Sequence, residues 1–159
     1  MNHSELLHEL ARCRALEQEG KQLIDSGEYK KGEKVLKECI RLLQDKRLDV
    51  GLAELAFIKI QKDTLVNAFC LTSLAKLRMD EKKDALLSAQ KGDAVALKYF
   101  GRNGEQRLAA VDMIGRCFRA LGKLQEAKEY ALLTGEIANV IGPRALVYLR
   151  GSIVQLGYG

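Results

Sequence analysis

The chain has 159 residues, enough for one domain with a sizeable core, and its 47% hydrophobic and 30% charged residues describe a soluble globular protein. A formal net charge of +5 is modest, and Lys and Glu interleave as on solvated helix faces, which argues against a nucleic-acid binder. One proline, no Trp, and Val and Ile sparse against Leu and Ala predict a mostly helical, all-α chain. In chain order, Ser4 with Leu6, Leu7, Leu10 and Ala11 starts a helix that Leu16, Leu23 and Ile24 carry to Ser26-Gly27. Residues 28–31 turn the chain. A second helix follows to about Gln44, with Val35, Leu36, Cys39, Ile40 and Leu43 on one apolar face. Residues 48–61 are apolar over more than half their circumference and predict a buried helix. Asp63-Thr64 then offers a cap, and a separate helix is expected over residues 65–79.

A turn at residues 80–83 leads into a helix from Ala85 to Phe100. Gly101-Arg102-Asn103-Gly104 carries glycines but lacks the Lys-Ser/Thr of a phosphate loop, and no strand precedes it, so it reads as a turn. Two amphipathic runs follow, broken at Leu121-Gly122-Lys123. Gly115 lies among Val111, Ile114 and Phe118 on the first run; Leu124, Ala127, Tyr130 and Ala131 line the second. A glycine facing an alanine predicts close antiparallel docking of the two helices. Residues 139–143 close that unit. A last helix is expected over residues 144–157, with Leu146, Leu149, Ile153 and Leu156 at helical spacing, as a capping helix or half of a further unit. The total is about eight helices in a single domain spanning residues 1–159.

Val111-x-x-Ile114-Gly115-x-x-Phe118 followed by Ala127-x-x-x-Ala131 resembles a tetratricopeptide repeat, a helix–turn–helix unit of ~34 residues. Aligning Gly20 with Gly115 puts Gly27 on Gly122 and Gly32 on Ala127; aligning Ala85 with Ala127 puts Ser73 on Gly115. The repeat-like units are then residues 13–46, 66–100 and 108–141, with Gly20, Gly32, Ser73, Ala85, Gly115 and Ala127 as structural anchors. The departures are Val111 for the usual Trp, Glu19 for the usual Leu, Lys76 where an aromatic is usual, and uneven spacing between copies. The resemblance implies antiparallel pairs stacked as a right-handed superhelix, as in the family's longer-repeat variants. In that family the first helix of each pair lines a concave groove. Carried onto this sequence, the groove holds Arg14, Gln18 and Lys21, then Asn67, Cys70, Leu71, Leu74 and Arg78, then Asp112, Met113, Arg116 and Arg119. The clamp that some members close on a chaperone's C-terminal carboxylate is not expected, because Glu17 and Asp112 stand where cations are needed, and Leu71 and Leu74 where asparagine is needed.

The residues offer no catalytic constellation and no cofactor site. His3 and His8 have no ligand-spaced partner, and Cys13, Cys39, Cys70 and Cys117 lie far apart, so no metal site is expected. Isolated thiols on helical faces suggest buried cysteines in a reducing, cytoplasmic setting. The N-terminus has no apolar signal core, and no apolar run is long enough to span a bilayer. The expected function is a non-catalytic protein–protein interaction module, an adaptor or scaffold binding an acidic partner segment in the groove. The alternatives are a small helical chaperone-type subunit holding an extended segment, or an RNA-associated helical repeat. Self-association or further repeats through the C-terminal helix are also expected.

Overall fold

Asn2 opens the first helix. Its side-chain oxygen accepts the Glu5 backbone N–H at 2.8 Å, and its amide donates to Glu5 Oε1 at 2.7 Å, a reciprocal cap just ahead of the expected Ser4. In this computed structural model, which describes residues 2–51 and 55–143, the helices are α1 (His3–Asp25), α2 (Tyr29–Leu43), α3 (Lys46–Gly51), α4 (Leu55–Arg78), α5 (Lys82–Phe100), α6 (Glu105–Ala120) and α7 (Leu124–Ile141). Among the described residues there is no strand. The predicted C-terminal helix, residues 144–157, lies outside them.

Three turns repeat one backbone solution. α1 ends at Gly27 (φ +85°), where Glu28 N–H donates to the Leu23 carbonyl at 2.8 Å and Gly27 N–H to Ile24 at 3.0 Å. α6 ends at Gly122 (φ +76°), with Lys123 N–H on Phe118 at 2.9 Å and Gly122 N–H on Arg119 at 3.0 Å. α4 ends the same way at Asp80 (φ +63°), with Glu81 N–H on Lys76 at 2.8 Å and Asp80 N–H on Leu77 at 3.2 Å. A left-handed residue is what lets the chain reverse at a helix C-terminus while the last carbonyls stay bonded. Glycine adopts it freely; Asp is one of the few other residues that tolerate it. In all three units a small residue (Gly20, Ser73, Gly115) precedes the left-handed position by seven residues, and another (Gly32, Ala85, Ala127) follows it by five.

These turns produce the pairs α1/α2, α4/α5 and α6/α7. Successive pairs join through α2/α4 and α5/α6, and the first helices also meet each other as α1/α4 and α4/α6. Small residues set the approach within each pair. A Cβ on Gly20 would lie 2.6 Å from Leu36 Cγ, and one on Gly115 would lie 3.2 Å from Tyr130 Cβ. Ser73 reaches across instead, its hydroxyl donating to the Ala85 carbonyl at 2.7 Å. Lys76, at the position aligned with Phe118, bonds Glu33 on α2 at 3.2 Å and so ties the first two pairs together. Phe118 itself packs against Tyr130 with ring centres 5.6 Å apart.

One expected boundary is corrected. Asp63-Thr64 does not cap a new helix; α4 runs straight through it. The Thr64 hydroxyl donates to the Ile60 carbonyl one turn back, at 2.8 Å, which satisfies it inside a helix. Gln61, Lys62, Thr64, Leu65 and Val66 are all buried here, so packing on several sides overrides the local cap signal. The expected helix over 48–61 is divided: Leu48 belongs to α3, residues 55–61 to α4, and residues 52–54 are outside the described part.

The main core joins Leu36, Leu43, Leu65, Phe69, Leu74, Met113 and Ile114 across all three pairs. A smaller cluster of Leu6, Leu10, Leu48 and Phe57 fastens α3 under the start of α1, and Leu108, Val111 and Ile137 seal α6 to α7. All four cysteines are buried free thiols. Burial pushes Cys13 up to about 11 and Cys39 and Cys70 up to about 12, so these thiols stay protonated at neutral pH.

A candidate partner-binding face on the first helices

Helical spacing puts Arg14, Glu17, Gln18 and Lys21 on one side of α1, and Asp63, Asn67 and Arg78 on one side of α4. Because α4 neighbours both α1 and α6, these sides converge with Glu105 and Gln106 at the start of α6. The electrostatics show how closely. Glu17 is pushed up to about 7, first by burial and then by the Asp63 carboxylate, against the opposing pull of Arg14, Asn67 and Lys21. Asp63 is likewise raised by burial; the Gln106 amide and Arg14 pull it back, and Glu105 adds to the rise. The face is thus a mixed network of half-buried charges and amides drawn from three helices.

Further along α6 lie Asp112, Arg116 and Arg119. Burial raises Asp112, and the two arginines oppose the rise. Among the described residues, Asp112 Oδ2 is buried without a hydrogen-bond partner. Arg116 Nη1 contacts Met113 Sδ at 3.5 Å.

The structure divides the expected groove residues into two sets. Arg14, Gln18, Arg78 and Arg119 are exposed, and Lys21, Asn67 and Arg116 are half-buried, so all seven can meet a partner. Leu71, Leu74 and Met113 cannot: they are 2%, 1% and 0% exposed and form part of the core beneath the face. Cys70 is fully buried as well. Leu71, Leu74 and Met113 are therefore corrected from groove lining to core, and the face above them is polar. Leu71 and Leu74 sit on α4, which has α1 on one side and α6 on the other, and Met113 packs from α6 into the same core. Positions that would line an open groove are closed over.

Asp63, Glu105 and Gln106 were not among the expected groove residues. Asp63 lies one turn before Asn67, and reading residues 55–78 as one helix would have placed the two together. Among the described residues no group of three or more His, Cys, Asp or Glu is placed to hold a metal ion, and no helix is long and apolar enough to cross a membrane. What this arrangement can do chemically is present amides and both signs of charge, fixed on rigid helices, to an extended chain. Compared with known proteins, the sequence matches no family model and no curated protein, and the fold matches no solved structure.

Proposed function

We propose that this chain is a tetratricopeptide-like helical repeat module, its pairs stacked as a right-handed superhelix, that binds an extended segment of a partner protein without catalysis. The observation that carries the reading is the threefold recurrence of one helix–turn–helix geometry, which aligns three first helices and gathers Arg14, Glu17, Lys21, Asn67 and Gln106 on one face. The partner's backbone bonds to Asn67 and Gln106, and its acidic side chains meet Arg14, Lys21 and Arg119. A Glu17 carboxyl that titrates near 7 carries only part of its charge at neutral pH, which lowers the face's own competition for those cations. Affinity then comes from preorganised polar contacts more than from apolar anchors.

The test is affinity purification from the native cell with wild type and with a variant carrying Arg14→Glu and Arg119→Glu, both at exposed positions. The reading expects a defined set of proteins retained by wild type and lost from the variant, with helicity unchanged. Equal retention by both would remove this face as the binding site. Recovery of RNA with a steep salt dependence would favour the nucleic-acid alternative.

A further inference from the structure

α7 meets α6 through Ala127, Tyr130 and Ile137, and among the described residues nothing packs on its opposite side. Leu124, Leu132 and Val140 are 68%, 61% and 65% exposed, the most exposed of the large apolar side chains among the described residues. With Lys128 and Glu136, also exposed, they follow one another every fourth residue and form a single ridge: Leu124, Lys128, Leu132, Glu136, Val140. Beside the ridge, Ala131 and Gly135 are exposed one turn apart, and a Cβ on Gly135 would meet nothing within 4 Å. These two small residues leave a shallow strip along the middle of the helix, which the exposed Asn139 ends. A ridge beside a shallow strip is the shape that packs helix on helix.

The order of residues on the ridge selects the occupant. It reads apolar, positive, apolar, negative, apolar, and so is complementary to itself when reversed. A second copy of α7, antiparallel about a two-fold axis at Leu132, sets Leu132 on the second copy's Leu132, while Leu124 and Val140, carried about 80° round the helix to either side, fall at the margins of the contact. It also sets Lys128 on the second copy's Glu136, twice over by symmetry. Among the described residues neither Lys128 nor Glu136 makes an ion pair within its own chain, so both are free to do this. An isologous contact requires one patch to match itself in both shape and charge, and this ridge does. We infer that the outer face of α7 is a self-association surface whose occupant is a second copy of this chain.

The contact is one helix per protomer, so it belongs to the small, weak class of interfaces. The dimer carries two copies of the first-helix face, which would strengthen binding to a partner that presents two segments. The inference does not depend on that function.

Sedimentation of the full chain over a range of concentrations tests it. Wild type is expected to shift from monomer to dimer as concentration rises, and Leu132→Asp to remain monomeric. Lys128→Glu and Glu136→Lys, each alone, place like charges opposite one another at two points and are expected to weaken association by roughly tenfold or more. The double variant carrying both reversals is expected to regain it. Circular dichroism should be the same for all, since every altered position is exposed. A concentration-independent monomer, including one in which residues 144–159 of the same chain cover α7, overturns the inference. So does a dimer that ignores these substitutions, or charge reversals that fail to rescue one another.

Discussion

Substituting alanine at three helical glycines should give three different outcomes, because the same methyl group meets three different surroundings. In a helix interior, Gly→Ala by itself stabilises by about 1 kcal/mol. At Gly135 nothing lies within 4 Å of the new Cβ, so that gain should appear whole. At Gly20 the Cβ would stand 2.6 Å from Leu36 Cγ and 2.7 Å from Cδ2, where ordinary contact begins at 3.4 Å. Leu36 is 0% exposed and cannot swing into water, so α1 and α2 must part or Leu36 must leave its rotamer. Overpacking of this kind costs typically about 1–3 kcal/mol. The clash touches both the branch point and a terminal methyl, so the cost falls in the upper part of that range and leaves a net loss of about 1–2 kcal/mol. Gly115, with Tyr130 Cβ at 3.2 Å, should lie near zero. For a chain of this length the gap between Gly20→Ala and Gly135→Ala is then roughly 5–10 °C in Tm. Thermal unfolding followed by circular dichroism, at concentrations dilute enough to keep the chain monomeric, measures it. A Gly20→Ala protein as stable as Gly135→Ala would refute the close approach of α1 and α2 on which the first pair rests.

Two further outcomes follow from the polar groups. Glu17 has its folded-state pKa raised to about 7 from 4.5, so the folded chain binds the extra proton. Its contribution to stability is present below about pH 4.5 and is lost as pH rises through 7. Glu17→Gln should remove this loss, making the variant gain on wild type between pH 5 and about 8 in urea titrations; parallel pH dependence in the two proteins would count against a half-buried Glu17. Arg107 and Asp93 form an ion pair at 2.9 Å between α6 and α5, with side chains 11% and 12% exposed. Arg107→Ala leaves that carboxylate buried and should cost about 3 kcal/mol, near the low end for broken buried pairs. Arg107→Ala combined with Asp93→Ala should recover part of this loss in the same urea titrations, and a double variant no better than the single one would show that the pair is not coupled.

How much of this could be read from the residues varies with how local the cause is. The turn at Gly27 and the one at Gly122 were legible because a glycine after an apolar run is a C-cap signal within a few residues. The docking of Gly115 on α7 was legible for a similar reason: only neighbours in one hairpin are involved. The equivalence of Asp80 with those glycines was less visible, since an aspartate marks a turn without declaring a left-handed backbone. The continuity of α4 was hidden because Asp63-Thr64 carries a cap's side chains, and only the helices packed around Thr64 decide otherwise. The same non-local cause buried Leu71, Leu74 and Met113. Helical spacing says which residues share a side of a helix; it does not say that α1 and α6 will close over α4. Asp63, Gln106 and Glu105 became part of the candidate face only when those three helices came together.

The central claim is that the aligned first helices hold a partner segment through polar groups at fixed positions. The most direct measurement is quantitative affinity purification from the native cell with four forms of the full chain: wild type, Asn67→Ala, the Arg14→Glu and Arg119→Glu double variant, and Leu132→Asp on the far side of α7. The account predicts that one set of proteins, those presenting a single segment, is retained by wild type and Leu132→Asp, reduced with Asn67→Ala and lost from the double variant. The same set recovered at equal abundance from all four would contradict it.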